Sequence, residues 1–296
     1  MRKTVKSKVM DMLEDSSDKS NPESITSEVL LIDAMAIIQA LKNPSKTFGK
    51  LATQIFNTIM AIAAKFNSTR VDFIGDRYPD VSIKGAERKK RAVGDGPVFA
   101  IVSESQKVPS DWKKFLSVGK NKEHLLSFLS EQWRRIKPKD FPNDIKFLIS
   151  ESFNCFSVTK IESQISIENV ESLSCDHEEA DTRLLLHAKH AADEGYTNAV
   201  IRTPDTDVVV MLVGLEDQIA NHLFVETGTG NRWRIVDINE VASSLPPGAS
   251  QALIGFQALT GKKLLYYLEY LDGLSMAFHL CEQSNPFFHY FELSLF

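Results

Sequence analysis

The sequence predicts an α/β fold: a central, mainly parallel sheet with helices on both faces, in three layers. Three observations carry that prediction. Short apolar runs rich in Val, Ile and Leu alternate with longer stretches of helical periodicity. The runs are near-continuously apolar, as strands covered on both faces are. The 296 residues are 43% hydrophobic, which is enough for a large core.

Residues 1–27 read as a polar, flexible arm, charged and rich in serine. "EVLLID" is a buried-type strand ending in Asp33. "TFGKLATQIFNTIMAIAAKF" places Leu51, Ile55, Ile59, Ile62 and Phe66 at helical spacing. "RVDFIGD" is a second strand running into Asp76. Residues 78–144 form a long, highly charged insert. It contains the basic run "SIKGAERKKR" and a helix over "KNKEHLLSFLSEQWRR". "DIKFLIS" is a third strand, followed by Glu151. "SCDHEEADTRLLLHA" opens a helix that stops near Gly195, a suitable C-cap. "NAVIRT" is a fourth strand, followed by "PDTD". "HLFVET" and "RWRIVD" form a hairpin around "GTGN".

Composition narrows the function classes. The net charge of -5 excludes a polybasic tail protein but leaves room for a local basic stripe. Cys155, Cys175 and Cys281 form no CxxC pair, which argues against a zinc ribbon or a disulfide framework. A reducing, intracellular location is expected, nuclear or cytoplasmic, with "ERKKR" as a weak nuclear signal. No apolar run approaches the ~20 residues of a membrane span, and the first residues lack the apolar core of a signal peptide.

In open α/β sheets, ligands bind at the carboxyl ends of the strands. Asp33, Asp76, Glu151, and Asp205 with Asp207, stand at the four strand ends. The segment Asp176 to Asp181 adds more acids. A capping reading explains most of them: Asp176 as N-cap, Glu179 as its N3 partner, and acids favoured by the helix dipole. It explains Asp181 less well. Glu179 and Asp181 lie ~200° apart on an ideal helix, so they converge only if Glu179 sits at an irregular first turn. His177 reads as a surface or cap residue, and His187 and His190 as satisfied structural histidines. Carboxylates gathered at one pole suit Mg²⁺ or Mn²⁺ rather than zinc, and a pair of such ions can drive phosphodiester cleavage.

"LLIDAMAII", "FIGDRYPDVSIKGAERKKR", "EEADTRLLLHA", "TPDTDVVVML" and "ALTG" occur in an order that resembles the flap endonuclease group of the PIN-like nuclease superfamily. The resemblance covers about residues 28–263 and is closest to divergent, multi-copy invertebrate members. It implies a PIN-like domain and a nuclease holding two Mg²⁺ or Mn²⁺ ions. Their ligands would be Asp33, Asp76, Glu179, Asp181, Asp205 and Asp207. It implies DNA or RNA, branched or single-stranded, as substrate. Lys84 and Arg91 match the family's phosphate-contacting pair, and Arg88 shares their helix face.

The departure from the family is at "ALTGKK". Lys263 stands where the family has a metal-ligand Asp. Residues 264–296 read as a divergent tail, unlike the family's duplex-gripping region. Two readings follow: an active or impaired nuclease, and an inactive nuclease-derived module for binding nucleic acid or another partner. A third is a haloacid dehalogenase-type phosphatase, from the superficial match of "VIRTPDTDVVV" to a strand followed by D-x-D.

Overall fold

The computed structural model describes residues 25–78, 97–219, 221–228, 234–246, 248–250 and 252–253. Contacts divide the chain into two compact units, Thr26–His190 and Ala191–Phe296, the latter with Met1–Ile25. Nearly all of the polar arm, the basic run with Lys84, Arg88 and Arg91, most of the "GTGN" turn, Lys263 and the tail lie outside the described residues.

The first unit is built on five strands: β1 (Val29–Asp33), β2 (Arg70–Ile74), β3 (Lys146–Glu151), β4 (Asn154–Ile161) and β5 (Gln164–Asn169). They lie in the order β5-β4-β3-β2-β1. β1, β2 and β3 are parallel, and β4 and β5 extend the sheet antiparallel as a hairpin. Its helices are α1 (Ala34–Ile38), α2 (Phe48–Phe66), α3 (Trp112–Ser117), α4 (Gly119–Arg134) and α5 (Ala180–Asp193), the last running on into the second unit.

Successive strand residues point to opposite faces, and β2 shows what covers each. Phe73 packs edge-on against Trp133 of α4, with ring centroids 4.9 Å apart. Its neighbour Asp72 meets His187 of α5. On β3, Phe147 packs on Phe56 of α2 and on Trp133, whereas Ser150 meets His187. So α2 and α4 cover one face and α5 the other, giving the three layers predicted. The Trp133 indole also donates to the Ala52 carbonyl, tying α4 to α2 at 3.1 Å. Every residue of β1 and β2 is buried.

The helix ends follow local chemistry. The Thr47 side chain accepts from Lys50 N and starts α2, and Asn67, at φ 58°, ends it in the left-handed conformation.

The second unit contains β6 (Asn198–Arg202), α6 (Thr206–Gly214), β7 (His222–Thr227), β8 (Arg234–Asp237) and α7 (Ile238–Ser244). β6 and β7 are parallel, and β8 returns antiparallel to β7. α7 packs on both β7 and α6. Both units are α/β. No described helix is long and apolar enough to cross a membrane.

Candidate functional site

Two predicted acids of the first unit, Asp76 and Asp181, act on a third, Asp33. Asp33 is the last residue of β1 and the N-cap of α1, where its Oδ1 accepts from Met35 N at 2.8 Å. The sheet register pairs it with Ile74, two residues beyond Asp72. Asp33 therefore lies on the face that α5 covers. Its side chain is buried, at 8% exposure. Burial first, then the charges of Asp76 and Asp181, push its carboxyl up to about 7. The Met35 and Ala36 amides oppose that rise.

Asp76 lies two residues past β2. Its Oδ1 accepts from Ala180 N, the first residue of α5, at 2.8 Å, and the buried Tyr78 hydroxyl donates to its Oδ2 at 3.0 Å. A carboxylate from one strand end thus caps the helix that carries Asp181. This corrects the expected N-cap: Asp176 stands four residues before the helix, in irregular chain. The physical reason is reach. A carboxylate presented from β2 satisfies the first amide, so the local side chain is not needed. Glu179 falls just outside α5, as convergence with Asp181 requires. Its carbonyl accepts from Arg183 N and from the Thr182 hydroxyl. Asp181 is 7% exposed.

Two arginines hold this acidic segment. Arg77 donates its amide to the Glu178 carbonyl at 2.8 Å and a guanidinium N–H to the Asp176 carbonyl. Arg183 is fully buried. It donates to the Gly75 carbonyl at 2.9 Å, to the Ser152 carbonyl, and to Cys175 Sγ at 3.4 Å. The ends of β2 and β3 and the stretch before α5 are thereby fastened to one side chain. Neither arginine was singled out in the sequence. The available signal was Arg183 inside the apolar "TRLLLHA", on the same helix face as His187 and His190.

That face carries a buried polar chain. Arg70 donates to both oxygens of Asp72, at 2.9 and 2.6 Å. Asp72 Oδ2 meets His187 Nδ1 at 2.7 Å, and His187 Nε2 meets Ser150 Oγ at 2.8 Å. Arg70 also reaches His190 Nδ1 at 3.1 Å. Burial disfavours the Asp72 charge, but Arg70 and His187 together outweigh it and hold the carboxyl far below the usual range. Burial also keeps His187 neutral. Its Nδ1–H then donates to Asp72, and its Nε2 accepts from Ser150. Burial raises the neighbouring Cys155 thiol to about 12, so it stays an inert thiol. The order Ser–His–Asp is that of a nucleophilic triad. Here all three side chains are buried and Arg70 occupies both Asp72 oxygens, so the chain fastens α5 to the sheet.

In the second unit, Asp205 is the N-cap of α6 and its Oδ1 accepts from Asp207 N at 2.9 Å. Asp207 is buried in the first turn of α6.

Among the described residues, no three histidine, cysteine or acidic side chains are gathered closely enough to hold a metal ion as they stand. The chemistry of Asp33, Asp76 and Asp181 nevertheless fits a hard divalent cation. All donors are carboxylate oxygens, and a cation would neutralise the charges of Asp76 and Asp181 that act on the buried Asp33.

No protein-family model and no curated protein matches the chain.

Proposed function

We propose that this protein is a divalent-metal-dependent nuclease of PIN-like ancestry that hydrolyses phosphodiester bonds in DNA or RNA. One observation supports the reading: Asp33 is buried at the end of β1, and its carboxyl is raised first by that burial and then by the charges of Asp76 and Asp181, which arrive from β2 and α5. Buried like charges are costly for a fold, and such groups cluster where a site is built. The motif order "LLIDAMAII" to "ALTG" supplies the reaction class.

In this reading Asp33, Asp76, Glu179 and Asp181 of the first unit hold Mg²⁺ or Mn²⁺, and the family resemblance alone adds Asp205 and Asp207 as ligands. A bound divalent ion supplies a water of lowered pKa and stabilises charge on the leaving oxygen. The chain's own side chains do the positioning. Tyr78 orients Asp76 by its hydrogen bond. Arg183 and Arg77 keep the segment before α5 in place. Lys84 and Arg91, with Arg88, are assigned to the scissile phosphate.

A second reading, an inactive nucleic-acid-binding module, is favoured by Lys263, which replaces a family acid with a cation. Cleavage of a labelled 5′-flap DNA and of a single-stranded RNA, with Mn²⁺, separates the two. Cleavage that Asp33→Ala and Asp181→Ala each abolish is the expected result. Activity gained only in Lys263→Asp identifies an impaired enzyme. Binding with no cleavage by either protein replaces the nuclease reading with the module. Cleavage that both alanine variants retain removes these acids from the site.

A further inference from the structure

Against Arg77, the residue that follows Asp76, stands a half-exposed aromatic side chain. Phe153 occupies the two-residue turn between β3 and β4 and is 50% exposed. Such turns favour Gly, Asn or Asp, not a phenyl ring. The turn is nonetheless firmly held. Ser152, at φ 51°, gives its carbonyl to Arg183, and the Phe153 carbonyl accepts from Cys175 N at 3.2 Å. The ring is also not alone. The Arg77 guanidinium carbon stands 4.0 Å from its centroid. Arg77 directly follows Asp76, and its backbone and guanidinium are fixed by the Glu178 and Asp176 carbonyls. An exposed ring and a cation are thus pre-positioned one residue from a proposed metal ligand.

We propose that Phe153 and Arg77 form a stacking platform for an unpaired nucleobase of the substrate. This inference rests on the nuclease reading and deepens it by naming the strand state the site selects. A nucleobase is a flat π-system that stacks on phenyl rings and guanidinium planes, and any base can do so. A base inside a duplex is already stacked on both sides and has no free face to offer. The platform therefore favours single-stranded segments without reading their sequence. The Arg77 charge adds attraction for the adjoining phosphate on a chain whose net charge is -5. Because the turn is tied to Arg183 and Cys175, little ordering cost remains for the ligand to offset.

Fluorescence anisotropy tests this with labelled single-stranded DNA and RNA and with a blunt duplex, in Ca²⁺ so that cleavage does not intervene. Phe153→Ala is expected to weaken single-strand binding about tenfold, which is ~1.4 kcal/mol, and to leave duplex binding unchanged. Phe153→Trp is expected to retain affinity, with its emission quenched as the strand binds. Both alanine and tryptophan variants should melt as the wild type does, because the ring is half exposed. Wild-type single-strand binding that Phe153→Ala leaves intact, or an equal loss for duplex and single strand, overturns the platform alone. No binding by the wild type to any of the three overturns the platform together with the nuclease reading.

Discussion

Asp33 carries the energetic signature of a buried acid with like charges nearby. Its folded-state pKa, about 7, lies above the ~3.9 of an unfolded chain. The folded protein therefore binds the extra proton, and this group favours folding at low pH. That contribution is lost as pH rises through 7. Asp33→Asn, which does not titrate, should stabilise the protein in chelator at about pH 8 by up to ~4 kcal/mol, read as a higher melting temperature, with the gain vanishing near about pH 4. No gain at about pH 8 would contradict the burial and repulsion assigned to Asp33. Asp72 has the opposite sign. Its folded-state pKa is depressed by Arg70, so its stabilisation is full above ~3.9 and is lost as pH falls below that. His187, buried neutral, loses its contribution as pH falls below ~6.5. Removing one partner of a buried ion pair leaves the other uncompensated, so Asp72→Asn should cost ~3–5 kcal/mol in urea titrations. A cost under ~1 kcal/mol would mean Arg70 finds another partner.

At the scale of elements, the site depends on how α5 is started. Asp76 does this from another strand, so Asp76→Ala removes both a candidate ligand and a cap. The cap alone is worth ~0.5–2 kcal/mol, and Asp76→Asn, which keeps an acceptor oxygen, should recover most of it. No loss in either variant would show that Ala180 finds another acceptor, and an equal, full loss in both would show that the carboxylate charge matters rather than the acceptor oxygen. Arg183→Leu should speed amide exchange at Arg77, whose N–H bonds the Glu178 carbonyl, because the anchored segment loosens. Unchanged exchange would show that Arg77 holds the segment unaided.

These elements also show what the sequence could disclose. "EVLLID", "RVDFIGD", "DIKFLIS" and "NAVIRT" are β1, β2, β3 and β6, because a strand buried on both faces leaves an unbroken apolar run. The hairpin β4–β5 left a weaker trace. Its alternation in "NCFSVTKI" and "QISIEN" is half polar, since β5 is largely exposed. The places of Asp33 and Asp76 after strands were legible, and Asp181 stood out as the acid that capping explains least well. The clamp by Arg77 and Arg183 was not, because it is made between distant segments through backbone carbonyls, which no spacing encodes. The start of α5 was misplaced for the same reason.

Over the whole molecule, an overall charge of -5 opposes a polyanion at a distance. On the proposed function, attraction would have to be local, through the proposed divalent ions and the basic residues Lys84, Arg88 and Arg91. Nucleic-acid binding should accordingly weaken at least about tenfold when chelator replaces divalent ion, and weaken further with added salt. Affinity indifferent to divalent ion would place binding away from the acids. The most direct test of a metal centre at Asp33, Asp76 and Asp181 is calorimetric titration of Mn²⁺ into the wild type and Asp33→Asn at about pH 8, where Asp33 is ionised. Saturable uptake by the wild type, weakened about tenfold or more in Asp33→Asn, is the predicted result. Absence of uptake by the wild type, or uptake that Asp33→Asn leaves unchanged, would contradict it.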